Sequence, residues 1–325
     1  AGVIEIEMPR PGLIALAAPG STLDDLLLVE DATEVTVAAT SVIPSPHEPD
    51  PVRSYHHLRV FGVRVAEPGR GADAVLCTTA PRVRIELAAS QISARQARIA
   101  VEDVAGVPIE DIARRARELW DEMLSVVEVS GAGELPALVA SDLARLFLFP
   151  TRHDEDTPEG SAYPSPTERD GPDTARHTGR VVRAGRMMTD HGFWDTYRTC
   201  WPAFALLAPA RAGALLDAML EHVRDAGWSP RWTAGTPLDA MVGTSLDVVS
   251  ADLLLAGIGG FDQEQAYIAG LRNATTVSED ARFGRKGQDA ALARGWVPAE
   301  VHESVSWTLE GCVSDAAAAV LARAR

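Results

Sequence analysis

Phe193-Trp194-Asp195-Thr196-Tyr197-Arg198, followed at once by Trp201-Pro202, sets Trp and Tyr rings beside a carboxylate and a guanidinium. Side chains of these types bind sugars. The rings cover an apolar C–H face, while Asp and Arg hydrogen-bond the hydroxyls. In a helix, Trp194 and Arg198 share a face at i,i+4, and Asp195 lies beside Arg198 at i,i+3. The same residues also read as core aromatics with a local Asp195–Arg198 ion pair. Nearby, Thr151-Arg152-His153-Asp154-Glu155-Asp156 offers a second reactive grouping. His153, Asp154 and Asp156 have the ligand types of a metal site, and equally those of a solvated acidic loop.

These groups need a scaffold, and 325 residues are enough for two domains. An apolar fraction of 46% supports a true core. The net charge of −16 argues against a phosphate-backbone partner and against an anionic membrane surface. No run of about 18 apolar residues is present, so no membrane span is expected. Ala1 to Glu7 lacks the basic and apolar regions of a signal peptide and reads as a strand. Cys77, Cys200 and Cys312 are widely spaced and form neither a zinc pattern nor a disulfide framework. Lys286 is the single lysine among 30 basic residues, a skew that, with abundant Ala and Gly, fits a high-GC bacterial genome.

Residues 1–90 alternate at period two between Pro/Gly turns. Val83, Ile85 and Leu87 alternate with Arg82, Arg84 and Glu86, as in a half-buried strand. Leu58 to Val65 and Glu34 to Val37 read as further strands, and Pro44 to Pro51 as a loop. Several short strands between turns predict an antiparallel sandwich. After Ser90 the period becomes helical. Ser93 is a candidate cap for Ala94–Val104, Ile109 to Val127 carries an apolar stripe, and Leu135–Phe149 reads as a helix ended by Pro150. Residues 151–190 are polar and rich in Gly, Pro, Ser and Thr, the composition of a long loop. From Trp194 onward the pattern is helices joined by short turns. Leu215 to Val223 form a stripe before Gly227, Asp262 and Gln265 have the form of a capping box, and Val301, Val305, Leu309 and Val313 form a later stripe. Strands first and paired helices after suit an α/α toroid or an irregular bundle.

With those motifs in order, the chain resembles the calcium-dependent α-mannosidases of glycoside hydrolase family 92. The resemblance rests on Ser90-Gln91-Ile92-Ser93-Ala94-Arg95-Gln96-Ala97-Arg98, on Trp120 to Leu124, and on Trp194-Asp195-Thr196-Tyr197-Arg198 with Trp201-Pro202. Gly227-Trp228-Ser229-Pro230-Arg231-Trp232 and Met241-Val242-Gly243-Thr244 continue it. Gly284-Arg285-Lys286-Gly287, Gly295-Trp296-Val297-Pro298 and Ser304 to Glu310 complete it. It implies a β-sandwich over residues 1–90, linker helices over 91–130 and an incomplete (α/α)6 barrel over 131–325. It also implies an exo-acting, inverting hydrolase of terminal α-mannosides, such as those of N-glycans or mannans. A Ca2+ ion would bridge O2 and O3 of the sugar, and the site of action would be secreted or at the bacterial cell surface.

On this resemblance the substrate-binding residues are Trp194, Asp195 and Arg198, joined by the patch Asp239, Met241, Gly243 and Thr244. Gly243 permits close approach of either a ligand or a neighbouring helix. Arg285 and Lys286 read as surface or as directed at an anion, and Glu310 and Asp315 have the residue types of catalytic acids but fall, within the resemblance, in a structural helix motif. Where the family has tyrosines, this chain has Leu138, Val139, Leu146 and Phe147. The family's general-acid Glu and general-base Asp motifs belong beyond the last matched segment, so no catalytic acid or base and no calcium ligand is assigned. The expectation is an internal piece of a longer enzyme, with a non-catalytic glycan-binding relative or a truncated paralogue as the alternative.

Overall fold

The computed structural model describes residues 1–8, 13–16, 21–28, 34–41, 50–65, 74–131 and 133–324. The expected loop at 44–51 falls, up to residue 49, outside the described residues. The chain divides into two compact units. The first comprises residues 1–45, 49–120 and 155–184, the second residues 46–48, 121–154 and 185–325.

In the first unit, five antiparallel strands run in the order Gly2–Glu7, Arg82–Ser90, Val52–Phe61, Glu34–Ser41, Ser21–Leu28. Leu13–Leu16, Ala74–Thr78 and Val63–Val65 form a separate three-stranded sheet. Val83 and Ile85 pack with Val60 and Val63 as the alternation predicts. The other face of Arg82–Ser90 is covered too. Ala88 packs with Val101 and Val104, and Glu86 is buried, accepting from Arg84 Nε at 2.9 Å and Gly106 N at 2.8 Å. Gly62, with φ of +79°, divides the expected Leu58–Val65 strand in two; a Cβ there would lie 2.5 Å from the Arg82 carbonyl oxygen. Ser93 caps the helix Ala94–Ala100 by accepting from Gln96 N, and a 3₁₀ turn continues it to Val104.

Residues 151–190 are not the long loop that composition predicts. Glu155–Thr157, Gly160–Arg169 and Arg180–Ala184 form an antiparallel three-stranded sheet within the first unit. Pro164 and Pro166 cannot donate to a ladder, and the register shifts between Pro164 and Arg169. The buried Arg180 guanidinium supplies donors there, reaching Ser165 O at 3.1 Å and Pro166 O at 3.0 Å.

In the second unit the helix Pro209–Ala226 buries Leu215, Leu216, Met219, Leu220 and Val223, and ends on Gly227 at φ of 75°. It packs on Cys200–Leu207, Leu246–Leu255 and Gln263–Thr275. Asp262 caps the last of these by accepting from Gln265 N at 2.9 Å, while its own N–H donates to Asp217 rather than to Gln265. The helix Ser304–Arg323 does not bury the apolar stripe spaced by four. Val305, Leu309 and Val313 are 70%, 62% and 41% exposed, and Trp307, Gly311, Ser314, Ala317 and Leu321 are buried instead. Ala317 packs on Ala251 of Leu246–Leu255, and its small side chain lets the two helices approach.

The tightest backbone approach is at Gly213, where a Cβ would lie 1.9 Å from the Gly259 carbonyl oxygen. Gly213→Ala is therefore expected to destabilise the second unit by about 3 kcal/mol. A urea midpoint equal to wild type would show that the Gly259 turn moves aside freely.

Candidate functional site

Asp195 stands on a single helical turn, Phe193–Thr196. That turn follows the short strand His191–Gly192, which pairs with Trp232–Thr233. The pairing brings Trp232 Nε1 to 3.4 Å from Asp195 Oδ2. Gly192 makes the approach possible, since a Cβ there would sit 1.9 Å from Trp232 Nε1 and 2.7 Å from Asp195 Oδ2. Asp195 and Trp232 line a cavity of about 350 Å³ with Phe149, Arg145, His191 and Cys200.

The other titratable groups of this cavity are committed. His191 Nε2 accepts from Trp201 Nε1 at 2.8 Å and meets Thr196 Oγ1 at 2.9 Å, and burial lowers its pKa to about 4. It is a neutral imidazole near pH 7, with its proton on Nδ1. Burial pushes the Cys200 thiol up to about 11, which keeps it protonated. Asp190 accepts from the Thr151 hydroxyl. Asp195 is the exposed carboxylate, free to meet hydroxyl groups beside an indole.

The remaining sequence candidates form adjoining groups. Arg198 lies over Trp194 at 5.1 Å, as their i,i+4 spacing predicts. Its ion-pair partner is Glu310 at 3.1 Å rather than Asp195, and Tyr197 Oη donates to the other Glu310 oxygen at 3.2 Å. Gly243 faces the stem of the same side chain: a Cβ there would lie 2.9 Å from Glu310 Cβ, so this glycine accommodates helix Ser304–Arg323. Asp239 is clamped by the buried Arg231 and by Lys286 Nζ at 2.8 Å. Met241 is exposed, with φ of 62°. Thr244 is buried; its N–H donates to Ser314 Oγ at 3.3 Å, and its hydroxyl accepts from Arg285 Nε at the same distance. The structure thus places Asp195 in the cavity, joins Trp194, Arg198 and Gly243 through Glu310, and turns Thr244 into the interior.

Two readings change. Arg285 is buried, not a surface residue; its Nη1 donates to Asp315 and the Gly311 carbonyl, and its Nε to Thr244. Asp154 is buried, not part of a solvated acidic loop, and accepts from Arg152 Nη2 and from Met187 N. Among the described residues no three His, Cys, Asp or Glu side chains gather around a point where a metal ion would sit. Sequence reasoning had left Trp232, Gly192 and Glu310 out of the site. The aromatic-and-charged run Trp228 to Trp232 is the available signal for the first, and the Ser304 to Glu310 motif for the last; nothing local marks Gly192.

An exposed carboxylate at an indole edge, in a cavity whose imidazole and thiol are neutral, offers an acceptor for hydroxyl groups beside an apolar ring. The chain belongs to glycosyl hydrolase family 92: the family's catalytic-domain model matches residues 96–325. The fold is shared with the inverting mannosidase BT2199 of Bacteroides thetaiotaomicron, at 23% identity and a TM-score of 0.75, covering 98% of this chain and 48% of that one. It is shared also with the α-mannosidase BT3965 of the same organism, at 19% identity and a TM-score of 0.74, covering 92% and 41%. A third solved structure, the family 92 glycosyl hydrolase ccman5, is 18% identical with a TM-score of 0.67, covering 99% and 43%. The chain therefore spans less than half the length of these relatives. No curated protein matches the sequence. Among the described residues no helix is long and apolar enough to cross a membrane.

Proposed function

We propose that this protein is an exo-acting, inverting α-mannosidase, and that this chain holds the terminal mannose through Asp195 while Trp232 covers its C–H face. The observation that carries the reading is the contact of the exposed Asp195 carboxylate with the Trp232 indole over Gly192. Family membership and the mannosidase fold relatives support it. On this reading the sheets of residues 1–90 belong to a β-sandwich, and the helices of the second unit to an (α/α)6 barrel.

Inversion needs a carboxylic acid and a carboxylate base about 6.5–9.5 Å apart, with the acid's pKa raised. Three other carboxylates are already engaged. Asp190, in the same cavity, accepts from the Thr151 hydroxyl. Glu310 is bound by Arg198 and Tyr197, and Asp239 by Arg231 and Lys286. We therefore assign Asp195 to orienting the sugar and assign no acid or base within this chain. Calcium dependence is part of the proposal. The described side chains gather no three-ligand cluster for the ion, and no step is derived through it. We also propose that the enzyme works outside the bacterial cell, on N-glycans or mannans.

The 325-residue chain is expected to bind methyl α-mannoside, and Trp232→Ala to weaken that binding about tenfold. The chain by itself is expected to leave an aryl α-mannoside intact. Equal binding of methyl α-glucoside and methyl α-mannoside would remove the mannose assignment. Clear turnover by the chain would overturn the assignment of roles. A full-length protein that binds mannosides without cleaving them, with or without added calcium, would make it a glycan-binding relative.

A further inference from the structure

A second cavity of the helical unit, about 110 Å³, lies between the helices Gln288–Arg294 and Ser304–Arg323 and shares no lining residue with the Asp195 cavity. Arg285, Asp315, Trp296 and Trp307 line it. The Arg285 side chain is only 5% exposed. Its Nη1 donates to Asp315 Oδ1 at 2.7 Å and to Gly311 O at 3.4 Å, and its Nε to Thr244 Oγ1 at 3.3 Å. Its Nη2 is buried without an acceptor, as is Trp307 Nε1. A buried guanidinium N–H left unpaired is costly, and a cavity of this size beside it admits polar atoms. Asp315 is 56% exposed and neutralises the arginine, so the cavity carries no net charge to attract an anion. Trp296 is half-exposed, with Arg294 5.8 Å from its ring centre.

We propose that this cavity is a second carbohydrate-binding site, which takes the edge of one sugar residue. One hydroxyl oxygen accepts from Arg285 Nη2, a neighbouring hydroxyl donates to Asp315, and the Trp296 indole covers the adjoining C–H face. A neutral vicinal diol matches this donor–acceptor pair; an oxyanion would meet the Asp315 carboxylate. The choice of a mannoside as probe rests on the reading of the Asp195 cavity, while the site itself does not.

The seven tryptophan indoles let one experiment report both sites. In ¹⁵N-labelled chain, Nε1–H cross-peaks assigned by single Trp→Phe variants are followed as methyl α-mannoside is added. The Trp296 and Trp307 peaks are expected to shift on a saturable curve. Trp296→Ala and Asp315→Asn, both at exposed positions, are expected to weaken that curve about tenfold without moving the Trp232 response. Asp195→Ala is expected to leave it unchanged. Shifts confined to Trp194 and Trp232 would overturn this site and leave the proposed function standing. Shifts of Trp296 and Trp307 with inorganic phosphate and not with the mannoside would also overturn it, as would a Trp296→Ala curve equal to wild type. Response at neither pair would remove both readings.

Discussion

Asp195→Ala is expected to weaken methyl α-mannoside binding by this chain about 100-fold, the loss of a charged hydrogen-bond acceptor for hydroxyls in a site that offers no substitute. Substitutes are lacking because the neighbouring polar groups are already engaged. His191 accepts from Trp201 Nε1, Asp190 from Thr151, and Glu310 from Arg198 and Tyr197. Asp195→Asn keeps the size and one acceptor oxygen, so its loss is expected to be smaller. That ordering separates hydrogen bonding from packing. In a full-length enzyme the same substitution is expected to lower kcat/KM on an aryl α-mannoside by a similar factor, since a lost positioning contact raises the barrier by its own free energy. Calorimetric titration of the chain reads the first effect directly. An Asp195→Ala chain that binds as wild type would remove Asp195 from the site, whatever the family.

The second large effect concerns stability rather than binding. Asp247 is buried at the start of the helix Leu246–Leu255. Asn273 Nδ2 donates to both its oxygens, at 2.9 and 3.2 Å. Burial raises its pKa from 3.8 to about 6, and bonds from Thr244 and Asn273 with the charge of Arg285 only partly oppose that rise. The folded chain thus holds this proton more tightly than the unfolded chain. Its contribution to stability is full below about pH 4 and is lost as pH rises to about 6, a change on the order of 3 kcal/mol. Asp247→Asn keeps an acceptor for Asn273 and cannot ionise. The difference in urea-unfolding free energy between variant and wild type is therefore expected to grow from pH 4 to pH 6 and to stay level above. Parallel curves for the two proteins would show that Asp247 titrates alike in both states. Because every other carboxylate is common to both proteins, the difference isolates this one group.

Much of the local structure was legible in the residues themselves. Ser93 and Asp262 cap their helices, Gly227 ends Pro209–Ala226, and the stripe from Leu215 to Val223 is buried as its spacing predicts. The aromatic, carboxylate and guanidinium groups of Trp194-Asp195-Thr196-Tyr197-Arg198 are legible as residue types, and the Arg198–Trp194 contact as spacing. The stripe Val305, Leu309 and Val313 is helical as its spacing predicts, but the structure leaves it exposed. A period shows that a helix has an apolar side, whereas which side is covered depends on the helices it meets. Here Ala317 packs on Ala251 of Leu246–Leu255, while Gly311 leaves room for Arg285 and Ser314 accepts from Thr244 N.

The sequence by itself determined the caps, the helix spans around them and the aromatic–carboxylate–guanidinium composition of the site, because each depends on residues within a turn or two of one another. Tertiary structure alone decided that Arg198 pairs with Glu310, 112 residues away, and that Asp195 meets Trp232, 37 residues away. It also decided that Arg180 rescues a proline-bearing strand which composition assigns to a loop. Ion-pair partners, buried faces and ladder donors are selected by whatever the folded chain brings within about 3–4 Å, and chain neighbours carry no record of that choice.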